Sequence, residues 1–566
     1  MIDRGLQTKE GEAMSGYLES GEKKKDSLMI SIRGWIRALI DYFICAYIVV
    51  ITAVLPFYSE NGYSYIATEK SLFFRRVSIQ MGKAVLLLLF IYIVFSGAVY
   101  LWSRKNRGRE EIPKELWAAV RRKFSAADIF AGLYGLALVI SYLCSEYKER
   151  AKWGAEGWFM GLYIQLILLA AYFLVSKFWK PRKFYFYLMF GASAVVFLLG
   201  YLNRFGVYPI EMELRNSSFI STIGNMNWYC GYVVTVLFVG VAFFWQKGSG
   251  GRGQKAGRIL LALYSGLGFG TLVTQGSTSG IVTLGAVMLA LFMLSVGEGE
   301  RMQRFWGIAL LLSGVCLATS VVRTVFPERL DFTDEFVDLL TTGAMPIVMT
   351  ILSGIFLLWT SLAKRRGTYR KKIVKTVARV IMIIVSISLV AFIAMIVLNT
   401  VRPGSLGSLS ENKAFIFSSG WGSNRGETWN AGIQCFLAQD PLHKLVGVGP
   451  DAMVAYLYNS ADQGLLDSLK AAFGPLYLTN VHNEWLTLLV DVGILGLVSF
   501  VGMIACAAVK FLRQIGKNPM AAACGFALFA YTVNNIFSFQ QIMNVTSLYV
   551  IMGMGAAFLS GDAADI

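Results

Sequence analysis

Long apolar stretches separated by polar connections run along most of the chain. A helix needs about 20 apolar residues to cross the hydrocarbon core of a bilayer, where only a helix satisfies its own backbone hydrogen bonds. The pattern therefore predicts an all-α, polytopic membrane protein with about 14 transmembrane helices. The predicted spans lie approximately at residues 38–57, 84–102, 126–144, 158–176, 184–203, 228–246, 259–276, 280–297, 305–322, 345–363, 380–399, 485–509, 520–538 and 543–559.

One connection is too long and too patterned to be a plain loop. It covers residues 400–484, between the eleventh and twelfth spans. A helix is expected from a cap at Ser423 or Asn424 to about Leu437, and a second helix is expected to have Pro450 in its first turn. The chain thus divides into four predicted parts: an N-terminal tail (1–37), spans 1–11 (38–399), the long segment (400–484), and spans 12–14 with a short C-terminus (485–566).

Composition and charge agree with a membrane location. Hydrophobic residues make up 56% of the chain, charged residues 15%, and the mean hydropathy is +0.56, whereas soluble domains carry about 25% charged residues. With the N-terminus inside, the inner connections hold roughly twice as many Lys and Arg as the outer ones, as the positive-inside rule requires. We therefore expect a cell-membrane protein with both termini cytoplasmic and residues 400–484 outside. The net charge of +17 is sorted by membrane side, so no nucleic-acid partner is expected.

Two basic side chains of the outer segment are candidates for chemistry. His482 lies just before the twelfth span, where the N–H groups and dipole of a helix start favour a neutral imidazole that can accept a proton. The alternative is an ordinary polar residue at the membrane interface. Arg425 has a fork of donors that suits phosphate oxygens, although it could instead pair with Glu427 or with a lipid headgroup. His443, the only other histidine, is read as a surface residue.

Other chemistry is poorly supported. Four acidic residues could share a helix face and bind a divalent cation, but a solvated acidic face is favoured because no further ligand accompanies them; they are Asp331, Asp334, Glu335 and Asp338. Six of the seven cysteines lie within spans, so no outer disulfide is expected. No nucleotide, dinucleotide or zinc motif occurs, so neither a cofactor nor a metal is expected. The main charges inside spans are Asp41, Asp128 and Asp491, too few for a typical coupled transporter.

Four short stretches, in order, resemble the O-antigen ligase and polymerase superfamily. Residues 481–496 contain His-Asn, an acidic residue before Gly, and a second Gly three residues later. Residues 425–429 resemble the family's Arg-x-x-x-Trp element, and 447–450 its Gly-x-Gly turn. Residues 224–228 are similar to its Gly-Asn-x-Asn sequence. The resemblance covers the chain from about residue 126 onward. One position departs: the family commonly has Ser-Arg-Gly where Ser277, Thr278 and Ser279 stand here, so Arg204, Arg215 or Lys444 replaces that arginine or the donor is held differently.

The resemblance implies a GT-C-like bundle and a metal-independent glycosyltransferase. It would act on a polyprenyl-pyrophosphate-linked glycan at the outer leaflet, with a glycan, lipid or protein as acceptor and membrane lipids around it. His482 would be the base and Arg425 would neutralise the pyrophosphate. The predicted substrate-binding residues are Asn225, Asn227, Ser277, Thr278, Glu427, Trp429, Asn483 and Glu484, and Glu484 could also tune His482. Polymerase and ligase both stay open, with a slight preference for polymerase. The alternatives are a non-catalytic lipid-glycan flippase and a structural scaffold.

Overall fold

A computed structural model describes residues 29, 31–107, 124–246, 252–330, 334–418, 420–460, 463–474 and 478–560. Four predicted features fall wholly or partly outside these residues: most of the N-terminal tail, much of the basic connection after the second span, most of the glycine-rich linker at 248–253, and Asp331.

Helices make up nearly all of the described structure. In chain order they are α1 (Ser31–Phe57), α2 (Ile66–Arg107), α3 (Ala126–Cys144), α4 (Lys148–Trp153), α5 (Leu162–Phe178), α6 (Phe184–Arg204), α7 (Met226–Gln246), α8 (Arg252–Thr274), α9 (Thr278–Ser295), α10 (Gly299–Val325), α11 (Glu335–Thr341), α12 (Met345–Arg365), α13 (Lys371–Val401), α14 (Trp421–Ala438), α15 (Pro441–Val446), α16 (Met453–Ser460), α17 (Gln463–Phe473), α18 (Glu484–Asp491), α19 (Gly493–Leu512), α20 (Pro519–Asn534) and α21 (Ile542–Ser560). Two short antiparallel strands, β1 (Phe219–Ile220) and β2 (Gly224–Asn225), precede α7.

The described residues contain 12 helices that are long and apolar enough to cross a membrane. Two shorter apolar helices, α5 and α20, stand at the fourth and thirteenth predicted spans. The prediction of an all-α, polytopic membrane protein is therefore confirmed. The centre of the bundle is formed by α7, α20 and α21, which are buried along nearly their whole length, as expected for helices that are apolar on every face. Helices α2 and α13 lie at the periphery.

Two predicted spans end differently in the structure. The span predicted at 485–509 is divided into α18 and α19, because Gly493 has a φ of 71°, a left-handed conformation that interrupts the helix. The span predicted at 520–538 ends at Asn534, and residues 535–541 form a non-helical segment before α21. Backbone carbonyls of Asn535 and Ser538 accept hydrogen bonds from the N–H of Glu484, so tertiary contacts replace the last helical turn.

The long segment between α13 and α18 is helical, as predicted. Helix α14 covers the first predicted helix but starts at Trp421, two residues before the expected cap. The second predicted helix corresponds to α16, which starts at Met453 rather than near Pro450. Helices α15 and α17 were not predicted. The apolar core of this segment includes Ala431, Met453 and Leu457.

Candidate active site

Helix α14 is bound directly to the residues that precede His482. The hydroxyl of Thr428 donates a hydrogen bond to the carbonyl of Val481 at 2.9 Å, and Gly432 packs closely against Val481 and Leu486. Arg425 lies one turn before Thr428 on α14. The structure therefore brings Arg425 and His482 together, and the positive charge of Arg425 acts on the imidazole.

The His482 side chain is held as a neutral imidazole. Its Nδ1 lies 3.0 Å from the carbonyl oxygen of Asn480. A carbonyl can only accept, so Nδ1 carries the hydrogen and Nε2 keeps its lone pair. Burial, and then the charge of Arg425, lower the pKa of His482 to about 4. The sequence predicted a neutral imidazole from the helix dipole; in the structure, burial and the neighbouring cation are the causes.

The Arg425 guanidinium keeps donors available. Nε donates to the carbonyl of Phe537 at 3.2 Å and Nη1 donates to that of Gly422 at 2.9 Å. Burial lowers its pKa, and the Cys230 thiol acts in the opposite sense, but a guanidinium stays charged in proteins. Among the described residues no carboxylate forms an ion pair with it, which leaves donors and a positive charge for an anionic ligand.

The backbone is strained at His482 and at the residue that precedes Arg425. His482 has a φ of 53°, and Asn424, which precedes Arg425, has a φ of 67°. This left-handed region costs a non-glycine residue about 1–3 kcal/mol unless the surroundings enforce it. At His482 the Asn480 side chain enforces it by accepting a hydrogen bond from the His482 N–H at 2.8 Å. Strain of this kind concentrates at functional sites.

The Asn and Ser residues predicted nearer the N-terminus join the same cluster. Ser277 donates to the amide oxygen of Asn227 and bonds to Ser279, both at 2.9 Å. The thiol of Cys230 contacts both Ser279 and Asn534 and lies close enough to act on Arg425. The starts of α7 and α9, the end of α20, and Arg425 therefore meet at one end of the bundle.

Three predicted substrate-binding residues have structural contacts of their own, and a fourth begins a helix. Glu427 is buried and accepts a hydrogen bond from Ser468 of α17, so it does not pair with Arg425. Asn483 caps α18 by accepting from Leu486 N at 3.0 Å. Asn225 accepts from Asn227 N at 2.9 Å and shapes the start of α7. Thr278 is the first residue of α9.

Trp429 lies beside the site, with its ring stacked on Phe537 at 6.0 Å. Its indole N–H is buried and bonds to no group in the described part of the chain, so it is an unsatisfied donor beside the candidate site. The ring also contacts Trp421 and Phe417, which extends an aromatic surface next to Arg425.

Glu484 faces the interior rather than His482. Its carboxylate accepts a hydrogen bond from Gln540 N, and its second oxygen has no partner within the described ranges. Burial, with a smaller contribution from Asp451, raises the pKa of Glu484 to about 8. No hydrogen bond joins this carboxyl group to His482 in the part of the chain that the structure describes, so any influence on His482 is indirect.

The three candidates for the missing family arginine have different positions. Arg204 is buried and donates hydrogen bonds to the carbonyls of Ser217 and Gln275. Gln275 lies two residues before Ser277. Arg204 therefore supports the loop at the start of α9. Arg215 pairs with Glu211 at 3.7 Å and stacks on Tyr208. Lys444 lies on α15.

The Gly-x-Gly turn and the acidic residue before Gly493 support each other. Val448 N and Gly449 N donate to the carbonyls of Val490 and Asp491 at 3.1 and 2.9 Å. A Cβ atom on Gly493 would lie 2.4 Å from the backbone of Leu445. Asp491 accepts from Met453 N at 2.7 Å. These motif residues therefore bond to one another and to the start of α16, and they hold α18, the helix that follows His482, in place.

The weaker candidates do not form a site. Asp334 caps α11 and Asp338 pairs with Arg323 at 2.8 Å. In the described ranges no group of three or more His, Cys, Asp or Glu is placed to hold a metal ion. His443 bonds to Asp440, whose pKa this contact lowers to about 2. All seven cysteines are free.

The carboxylates inside predicted spans are all engaged. Asp41 binds Arg182, and Asp128 pairs with Lys177 at 2.7 Å. With Asp491 bound to Met453 N, these three carboxylates have partners, as buried carboxylates require.

Sequence reasoning missed the non-helical segment 535–541. Phe537 and Phe539 of this segment contact Arg425 and His482. The available signal was polar: Asn534, Asn535, Ser538, Gln540 and Gln541 interrupt an apolar stretch, and amides inside a membrane segment indicate function or tertiary contacts.

Residues 336–501, from α11 into α19, match the protein family described as O-antigen ligase. This stretch contains both Arg425 and His482, whereas Asn227, Ser277 and residues 535–541 lie outside it. No curated protein matches the chain. The resemblance found in the motifs is confirmed by this match: the part of the chain that carries Arg425 and His482 is similar to the O-antigen ligase family.

Proposed function

We propose that this protein transfers a glycan from a polyprenyl pyrophosphate to an acceptor hydroxyl on the extracytoplasmic face of the membrane. The match of residues 336–501 to the O-antigen ligase family supports a ligase or polymerase type of glycosyl transfer. One observation carries the assignment of residues: a neutral imidazole with an available Nε2 lies beside a guanidinium that has no carboxylate partner among the described residues.

The proposed reaction is a single displacement. Nε2 of His482 removes the proton from the acceptor hydroxyl while that oxygen attacks the anomeric carbon of the donor sugar. The bond from this carbon to the pyrophosphate oxygen breaks, and the lipid pyrophosphate leaves with the electron pair. Arg425 stabilises the negative charge that develops on it. Because the new bond forms opposite the leaving group, the anomeric configuration inverts.

The remaining site residues have supporting roles in this proposal. Asn227, Ser277 and the Trp429 indole N–H would orient sugar or phosphate oxygens; the hydrogen bond between Ser277 and Asn227, and an indole N–H that bonds to no described group, support these roles. Asn483 and Glu427 keep α18 and α14 in place. The reaction needs no metal, because the pyrophosphate is a good leaving group and Arg425 supplies the cation. Of the two acceptor classes, another lipid-linked repeat unit, as in a polymerase, is slightly favoured over a ligase acceptor.

The test uses purified protein in detergent with a lipid-linked oligosaccharide and looks for longer glycan and released lipid pyrophosphate. Detergent abolishes membrane sidedness, so a flippase gives no product. His482→Asn is the sharpest variant, because Asn tolerates the positive φ at this position. A positioned base contributes about 10²–10⁴-fold and a charge-stabilising donor about 10²–10³-fold.

We therefore expect His482→Asn and Arg425→Gln to lose at least about 100-fold in turnover. His443→Gln, which removes the other outer histidine, retains activity. Normal turnover in His482→Asn at wild-type protein levels would end the catalytic assignment.

A further inference from the structure

The segment 535–541, between α20 and α21, contacts both proposed functional side chains. The carbonyl of Phe537 accepts from Arg425 Nε at 3.2 Å. The Phe539 ring meets the His482 imidazole at 5.2 Å between centroids and an interplanar angle of 82°. The segment lies outside the matched family region, residues 336–501. One short stretch of chain therefore contacts the base and the cation together.

The segment is held by hydrogen bonds to Glu484 and to the side chains of Gln541 and Asn544. Glu484 N donates to the carbonyls of Asn535 and Ser538, each at 3.0 Å, and Gln540 N donates back to the Glu484 carboxylate. The carbonyl of Phe539 accepts from the side-chain amides of Gln541 and Asn544 at 3.3 and 3.4 Å. These bonds fix the Phe539 backbone although the segment is not helical.

The Phe539 side chain is fixed as well. It is 4% exposed, and its ring also contacts Trp158, at 5.3 Å between centroids and an interplanar angle of 83°. Edge-to-face pairs of this kind stabilise the rings beyond the effect of their buried area. Phe539 therefore contacts both Trp158 and His482.

The imidazole needs this contact for a defined orientation. The hydrogen bond from Nδ1 to Asn480 fixes one atom of the ring, and a second contact is required to limit rotation about the side-chain bonds. Phe539 is the aromatic partner of the imidazole. Because a misplacement of about 1 Å can cost about 100-fold in rate, the contact has a direct kinetic consequence.

We propose that Phe539 is a positioning residue that holds His482 in its reactive orientation. This inference rests on the proposed function, in which His482 is the base. Phe539 touches the imidazole and not the substrate, so its loss reduces kcat and leaves KM nearly unchanged. It also shields the ring from water, so its loss moves the His482 pKa upward toward the ordinary histidine value.

The experiment compares Phe539→Leu with Phe526→Leu. Phe526 is a matched control, because it is 1% exposed, lies on α20, and makes a similar edge contact with Trp245 at 6.0 Å. Both variants lose an aromatic ring from the bundle. Turnover is measured in detergent, and the His482 titration is followed by NMR with labelled histidine in the His443→Gln background, which leaves a single histidine signal.

We expect Phe539→Leu to lower kcat about 10- to 100-fold and to raise the His482 pKa, and Phe526→Leu to change neither. Phe539→Tyr keeps the ring and restores most of the turnover. Equal kcat and equal titration in Phe539→Leu and the parent protein would overturn the inference. If His482→Asn is fully active, the proposed function fails; if it is inactive while Phe539→Leu is normal, the positioning role alone fails.

Discussion

Binding of a lipid pyrophosphate should make His482 a stronger base. Burial and the charge of Arg425 hold the pKa of this imidazole at about 4 in the free protein, so it is neutral but weakly basic at neutral pH. A pyrophosphate bound to Arg425 brings negative charge to the same place. Opposite charge favours the imidazolium and raises its pKa, so the base would gain strength only when the donor is present.

The size of the expected rise in the His482 pKa follows from the distance over which charges act. A charge within about 4–6 Å shifts a pKa by about one to three units, and a rise of one unit corresponds to about 1.4 kcal/mol. With a pKa of about 4, roughly one imidazole in ten is protonated at pH 5. A rise of one unit makes that fraction about one half. An ordinary histidine, with a pKa near 6.5, would be almost fully protonated.

The assay is an NMR titration of histidine in the His443→Gln variant, with and without farnesyl pyrophosphate as a soluble lipid pyrophosphate. We expect the His482 pKa to rise by about one unit on addition of the probe. Arg425→Gln, which removes the cation without adding an anion, raises the pKa in the absence of the probe, and the probe then adds little. Farnesol serves as the uncharged control and leaves the titration unchanged.

One result would refute this reasoning. If neither farnesyl pyrophosphate nor Arg425→Gln moves the titration of His482, the two side chains do not share an electrostatic environment. The single-pocket mechanism would then lose its physical basis, even if both residues proved necessary for activity.

Three further predictions concern stability and metal. Because burial raises the pKa of Glu484 to about 8 from an ordinary 4.5, the folded protein keeps a proton that the unfolded chain releases, and stability falls as the pH rises between these values. Glu484→Gln cannot ionise, so it should melt at a higher temperature than the wild type at pH 8 and close to it at pH 4.5; a lower melting temperature at pH 8 would contradict this. Gly493→Ala should lower the free energy of unfolding by more than about 1 kcal/mol, since the new Cβ would lie 2.4 Å from the Leu445 backbone. Gly354→Ala, whose Cβ would have no neighbour within 4 Å, should not destabilise the protein. Equal melting temperatures of the two variants would argue against the tight turn at Gly493. EDTA should leave the turnover of the purified protein unchanged, and inhibition that added Mg²⁺ reverses would bring a metal into the mechanism.

The helical architecture could be predicted because membrane helices are specified by local composition. Apolar length alone located the fourteen apolar helices that the described residues contain, including α5 and α20, which are shorter than a standard span. The two errors in helix ends have tertiary causes. The break before α19 depends on Gly493 packing against Leu445, and the end of α20 depends on bonds from Glu484 N. Neither contact is visible from hydropathy.

The motifs predicted a set of candidate residues but did not separate their structural roles. In the stretch that begins at His482, the imidazole is available for a ligand, Asn483 is a helix cap and Asp491 binds Met453 N. All three are polar residues next to a predicted span, and their spacing alone does not separate them. The separation depends on which polar atoms are already bonded inside the fold, because an engaged cap cannot also bind substrate without a cost.

The segment 535–541 shows why part of the site lay beyond sequence reasoning. Its aromatic residues resemble those of any membrane helix, and its amides read as the polar end of a span. Only the fold brings Phe537 to Arg425 and Phe539 to His482. The segment lies more than fifty residues after His482 in the sequence and further still after Arg425. A short buried run rich in Asn, Gln and Phe between two apolar helices therefore has a physical meaning: its backbone must find partners outside a helix. Here those partners include Arg425, to which the proposed chemistry is assigned, and Glu484, two residues after His482.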